Sequence, residues 1–145
     1  MEFAIASDHS GVKLKNALIS FLKKEHYSVL DLGERTEDSV DYPDYAKKVV
    51  SSIEKKEVSF GILICGTGIG MSMVANRYDF IRGALVQTLE QAKLSREHND
   101  ANVLCLGARI LSFSEAIEIL NSFINTKFSG EERHIRRLKK FGYEG

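Results

Sequence analysis

The sequence predicts an α/β protein, a three-layer Rossmann-like fold in which a five-stranded parallel sheet carries helices on both faces. Five short apolar runs alternate with amphipathic segments along the chain, the pattern of βα units joined by right-handed crossovers. The run Ile62, Leu63, Ile64 has no polar alternation, as expected of a strand buried on both faces. It breaks at Cys65 into Gly66, Thr67, Gly68, Ile69 and Gly70, a turn suited to lead from a strand into a helix. The 145 residues suit a single domain, residues 1–145, with one sizeable core.

Taken in order, residues 3–7 form the first strand, and the chain turns polar at Asp8, His9, Ser10 and Gly11. Leu14, Leu18, Phe21 and Leu22 then fall on one helix face. Residues 27–32 read as a second strand closed by Gly33, and residues 34–41 as a polar loop. Asp41 is placed to cap a helix with Pro43 in its first turn and Ala46, Val49, Val50 and Ile53 on its apolar face. Residues 58–64 make the third strand, and a short helix is expected over 71–77. Residues 81–86 make the fourth strand, and Thr88 caps a helix reaching about His98. Residues 103–106 form the fifth strand, ending at Gly107. Ser114 is expected to cap a strongly apolar helix containing Ala116, Ile117, Leu120, Phe123 and Ile124, and residues 131–140 form a charged one.

Composition narrows the class. Lys+Arg and Asp+Glu both total 20, so no global charge points to nucleic acid or to a membrane surface. No apolar stretch approaches the ~20 residues needed to span a bilayer, and the start of the chain has no signal-peptide pattern. Two cysteines do not make a disulfide framework, which fits a reducing, cytoplasmic setting.

In such a sheet ligands bind beyond the carboxyl ends of the strands. That rule puts Asp8, His9, residues 65–70, the polar end of the fourth βα unit and Arg109 on one rim, and the shared rim makes both Asp8-His9 and His98-Asn99 functional candidates. The turn is a poor dinucleotide fingerprint. Met71 stands where the last glycine belongs, and the following strand ends in Val86-Gln87 without the ribose-binding acid. A cysteine phosphatase needs an arginine six residues after the cysteine, and Met71 occupies that place too. Cys65, among glycine N–H groups at a helix start, is instead set up as a thiolate. Cys105, inside an apolar strand, reads as core. His98 near a helix carboxyl end is favoured in its protonated form and suits an acid. Arg133 and Arg137 are four apart and share a helix face, so both can grip one phosphate; a solvated face neutralised by Glu131 and Glu132 is the plainer alternative.

Several stretches carry a resemblance: D-H-S-G at 8–11, D-Y-P-D-Y-A at 41–46, C-G-T-G-I-G-M-S at 65–72, R-E-H-N-D at 96–100, G-A-R at 107–109 and R-H-I-R-R at 133–137. In this order, over nearly the whole chain, the sequence resembles ribose-5-phosphate isomerase type B, in a broader family that includes galactose-6-phosphate isomerase subunits. The resemblance implies an aldose–ketose isomerase of the non-oxidative pentose phosphate pathway, working on a small sugar phosphate without metal, nucleotide or other cofactor. It implies Cys65 as catalytic base, His98 as the acid that opens the furanose ring, and Thr67 as a proton relay. Asp8, His9, Gly66, Thr67, Gly68, Ile69, Gly70, Asn99, Arg109, Arg133 and Arg137 fall on substrate-binding positions. The version of the family with a serine and a later glutamate base does not apply, because Met71 holds that later position. The resemblance further implies a homodimer or dimer of dimers with active sites shared between protomers. A hexose-6-phosphate isomerase and a non-catalytic sugar-phosphate-binding module are the competing readings.

Overall fold

The computed structural model describes residues 1–144. It contains five parallel strands: β1 (Glu2–Ser7), β2 (Ser28–Asp31), β3 (Phe60–Cys65), β4 (Gly83–Leu85) and β5 (Val103–Gly107). They are ordered β2-β1-β3-β5-β4. Six helices connect and flank them: α1 (Val12–Lys24), α2 (Tyr42–Glu54), α3 (Ile69–Ala75), α4 (Leu89–Glu97), α5 (Phe113–Asn125) and α6 (Glu132–Lys139). The predicted parallel α/β sheet with helices on both faces is what the chain forms. No helix among the described residues is long and apolar enough to cross a membrane.

Side-chain alternation divides the core. Phe3, Ile5, Ile62, Ile64, Leu104 and Leu106 face one side, where Leu18 and Leu22 of α1 and Ile119, Leu120 and Phe123 of α5 cover them. Ala4, Ala6, Leu63, Cys65, Val103 and Cys105 face the other, under Val49 and Val50 of α2 and Met71 and Ala75 of α3. β3 at the centre is apolar on both faces because helices cover both.

Local boundaries have local causes. Asp8 ends β1 by accepting the Ser10 N–H at 3.0 Å, which starts a short 3-10 turn ahead of α1. Asp41 stands at the start of α2, as expected, but its side chain makes no capping bond. Thr88 caps α4 by accepting the Gln91 N–H at 3.1 Å. α5 begins two residues earlier than Ser114 suggests. Ser112 accepts the Glu115 N–H at 3.1 Å and Glu115 accepts the Ser112 N–H at 2.9 Å, a reciprocal capping box that Ser114, with Ile117 three residues on, cannot form. β4 is shorter than residues 81–86, because the Arg82 N–H turns to the Asn102 side chain at 2.7 Å and its carbonyl accepts from Asn102. α3 starts at Ile69, inside the glycine turn, with Gly68 as its cap.

One charge lies fully inside. Lys15 is 0% exposed and its Nζ lies 2.9 and 3.0 Å from the two carboxylate oxygens of Asp31. Burial raises the Asp31 pKa, but the Lys15 hydrogen bond, the Gly33 N–H and the charge of Lys15 outweigh it and hold the carboxyl below its ordinary range. The pair ties α1 to the end of β2 and to the turn beyond it. Asp31→Ala strands a buried ammonium and is expected to cost about 3 kcal/mol in urea unfolding, whereas Lys15→Met, which fills the space and frees a partly solvated carboxylate, costs about 1 kcal/mol. Equal losses from the two would contradict this.

Candidate active site

β3 delivers Cys65 to the carboxyl edge of the sheet, 6% exposed. Its backbone is locked there, since Ala108 donates to the Cys65 carbonyl at 2.8 Å and Arg109 to the Gly66 carbonyl at 2.9 Å. The turn then folds back over the sulfur, and the Gly68 N–H donates to Sγ at 3.2 Å. Gly68 makes this possible. Its φ is +78°, and a Cβ would lie 2.7 Å from Leu85 and 2.9 Å from the Leu106 carbonyl carbon. An N–H aimed at the sulfur and the positive end of α3 both favour negative charge at this spot.

The same edge carries the other early candidates. Asp8, with its N–H on the Ile64 carbonyl at 3.1 Å, also accepts the Ser10 hydroxyl at 2.6 Å. His9 accepts the Val40 N–H on Nδ1 at 3.2 Å, so Nε2 carries its ring N–H. Thr67 accepts the Ile69 N–H at 3.2 Å and pins the turn. The Arg109 guanidinium packs over Gly66, where an added Cβ would stand 3.3 Å from Nη1. Tyr42 is a lining residue to which sequence reasoning gave no role. Its ring lies where a Cβ on Gly70 would approach to 2.5 Å, so Gly70 is small because an aromatic from α2 covers it. Only the adjacency of two quoted motifs, D-Y-P-D-Y-A and the glycine turn, hinted at this contact.

His98, Asn99, Arg133 and Arg137 lie elsewhere, and the expectation of one common rim is corrected. α4 runs back from the carboxyl edge, so its last residues sit beside the amino ends of the strands. Asn102 accepts the Gly61 N–H at 2.9 Å, and Gly61 begins the buried part of β3. From there to Cys65 is roughly 13 Å of strand. The turn carrying His98 and Asn99 is built firmly. Buried Arg96 binds the Asp100 carboxylate at 2.9 Å and the Ala101 carbonyl at 2.6 Å, and its guanidinium lies over Phe60 and Phe123. Arg82 binds the Asp100 carbonyl through Nε at 2.7 Å, and Asp100 takes a φ of +45°.

α6 joins this second cluster. The His134 and His98 rings stack with centroids 4.4 Å apart, which brings Arg133 and Arg137 to the amino edge. Arg133 is paired with Glu131 at 2.9 Å and Arg136 with Glu132 at 2.8 Å, while Arg137 forms no ion pair among the described residues. The glycine turn with Cys65 thus lies on one edge of the sheet and the histidine–arginine cluster on the other. A hollow of about 660 Å³ lies along β4 and touches Asn99 but not Cys65.

The two thiols differ in reactivity. Burial first, and the neighbouring Cys65 second, push the Cys105 thiol far up. Iodoacetamide on the native protein is expected to label Cys65 at least about tenfold faster than Cys105, read by peptide mass spectrometry. Comparable labelling of both would contradict the assignment of Cys105 to the core.

Comparison with known proteins agrees with this layout. Residues 3–141 match the model of the family described as Ribose/Galactose Isomerase. A ribose 5-phosphate isomerase structure from Thermotoga maritima is similar at 48% identity and a TM-score of 0.94, covering 97% of each chain. Ribose-5-phosphate isomerase B from Mycoplasma genitalium, with bound ribulose-5-phosphate, is similar at 42% identity and a TM-score of 0.91, over 96% of this chain and 92% of that one. Ribose-5-phosphate isomerase B of Escherichia coli is 36% identical over 138 residues, which are 95% of this chain and 92% of that protein. The chain belongs to the ribose/galactose isomerase family.

Proposed function

We propose that this protein interconverts ribose 5-phosphate and ribulose 5-phosphate, the aldose–ketose step of the non-oxidative pentose phosphate pathway, with Cys65 as the base. The observation that carries the reading is the turn at the end of β3, where Sγ receives the Gly68 N–H in a glycine-rich segment that opens α3. A thiolate there has beside it the donors that an enediolate oxygen needs. Losing one such donor typically costs ~3 kcal/mol in the transition state.

The reaction begins with the furanose. His98 gives a proton to the ring oxygen while the C1 hydroxyl releases its own through Asp8 or Thr67. Cys65, as thiolate, then takes the C2 proton, and the electron pair of that C–H bond enters a cis-enediolate. The same proton returns to C1 while the proton of the O2 hydroxyl passes to O1, so that O1 becomes the hydroxyl and O2 the ketone. Arg109, Arg133 and Arg137, with His9, hold the phosphate, and this remote binding fixes C1 and C2 for the transfer.

The placement of His98 and the arginines on the opposite edge from Cys65 supports a site completed by a second copy. Exposed apolar side chains surround the cradle, namely Ile69, Met73, Leu89, Ile110 and Phe113. All of them follow the carboxyl ends of strands. In an isologous dimer the carboxyl rim of one protomer can meet the amino-edge cluster of its partner and the reverse, so every site has a twin.

Three measurements test the reading. A coupled assay with chelator present and no added cofactor is expected to show turnover of ribose 5-phosphate above that of allose or galactose 6-phosphate; preferred hexose turnover would reassign the sugar. Cys65→Ala is expected to lower kcat by about 10²- to 10⁴-fold with sugar-phosphate binding retained, and normal turnover would remove Cys65 from proton transfer. Arg137→Ala is expected to raise KM roughly tenfold to a hundredfold, and an unchanged KM would take it out of the phosphate clamp.

A further inference from the structure

The His98 side chain is partly exposed at the end of α4, and its nearest carboxylate, Glu97, is 3.9 Å from Nε2, beyond hydrogen-bond distance. Its ring is held instead by packing on His134, at 4.4 Å and a tilt of 34°. His134 is only 4% exposed and is itself fixed. Ser129 Oγ lies 2.6 Å from its Nδ1. The same oxygen accepts the Glu131 N–H at 3.1 Å, which ties the hydroxyl to the start of α6 as well as to the imidazole. The Ser129 N–H in turn donates to the carbonyl of Glu97 at 3.0 Å, the residue before His98. Serine, buried histidine and α4 carboxyl end form a closed circuit.

We propose that His134, clamped by Ser129, is a positioning residue for His98: an uncharged ring that sets the orientation of the acid and leaves it as the member of the pair that carries the proton. The proposal rests on the reading of His98 as the ring-opening acid. The donors and charges agree with it. Ser129 holds the His134 ring through Nδ1, and with 4% exposure the ring sits where a charged form is disfavoured. Burial, then His98, Arg133 and Arg137, hold its pKa below the usual histidine value, with Glu131 alone opposing. Of the groups facing the pair, Glu97 comes from α4, and Glu131, Arg133 and Arg137 from α6 and its cap. Two imidazolium rings at this separation would repel, and the clamp on His134 prevents that state.

The test uses the full-length protein, with Ser129→Ala, His134→Phe, His134→Ala and His98→Asn. Ring-proton NMR titration follows both histidines. Ser129→Ala removes the clamp on the buried ring, so the midpoints of both histidines are expected to move. His134→Ala is expected to lower kcat on ribose 5-phosphate about tenfold through misplacement of His98, with KM within about twofold, while His134→Phe keeps the stacked ring and recovers most of that loss. An aldose phosphate too short to close a furanose ring, such as a tetrose 4-phosphate, needs no ring opening and is expected to lose less. Unchanged titration of His98 in both Ser129→Ala and His134→Ala, or equal kcat losses in His134→Phe and His134→Ala, would overturn the proposal. His98→Asn separates the two ideas: equal losses on ribose 5-phosphate and on an aldose phosphate unable to cyclise would sink the ring-opening role itself, whereas a loss confined to ribose 5-phosphate leaves that role standing and makes the His134 variants decisive.

Discussion

Parallel pairing requires every crossover to return from the carboxyl edge of the sheet to the amino edge, and this constraint governs where the chemistry can sit. β3 emerges at one edge with Cys65, and α4 ends at the other with His98. No adjustment of side chains brings them together, because the buried strand residues Ile62, Leu63 and Ile64 lie between Gly61 and Cys65. What would be a broken active site in a lone chain becomes two complementary halves when a second copy is considered. Oligomerisation is therefore part of the proposed chemistry rather than an addition to it.

Each half is built by a different physical means. The thiol half relies on backbone. Glycine conformation, two inter-strand carbonyls held by Ala108 and Arg109, and the start of α3 gather N–H groups around a sulfur. The histidine half relies on side chains. Arg96, stacked on Phe60 and Phe123, and Asp100, gripped by Arg82 and Arg96, anchor a turn that loops alone would leave loose. The chain has no net charge, so substrate attraction depends on local fields, with guanidinium groups at one end of the sugar phosphate and amide dipoles at the other. A remote phosphate clamp and a rigid cradle together supply orientation, which is most of what an isomerase without a redox step needs.

The sheet, the helix order and the thiol cradle were legible because their signals are short in range: apolar runs, a glycine cluster, and Thr88 three residues before Gln91. The start of α5 was misplaced at Ser114, although Ser112 and Glu115 already spelled a capping box. The helix after the glycine turn was placed late, because Gly70 in a first turn looks like a breaker until Tyr42 is seen against it. Putting His98 on the Cys65 rim failed for a different reason. The rule about carboxyl ends applies to residues that follow strands, and His98 follows a helix. The His98–His134 stack, the Lys15–Asp31 pair and Tyr42 over Gly70 join residues far apart in sequence, and no spacing rule encodes them.

The central claim, that each active site draws Cys65 from one protomer and the histidine–arginine cluster from its partner, has a direct test in mixed assemblies. Cys65→Ala and Arg137→Ala protein, each nearly inactive under limiting substrate, are unfolded together in equal amounts, refolded, and assayed with heterodimer formation verified by differential tags. Shared sites predict that half the dimers are mixed and that each has one intact site, so roughly a quarter of wild-type activity returns. Heterodimers that form but show only the activity of the parent variants would contradict the shared site.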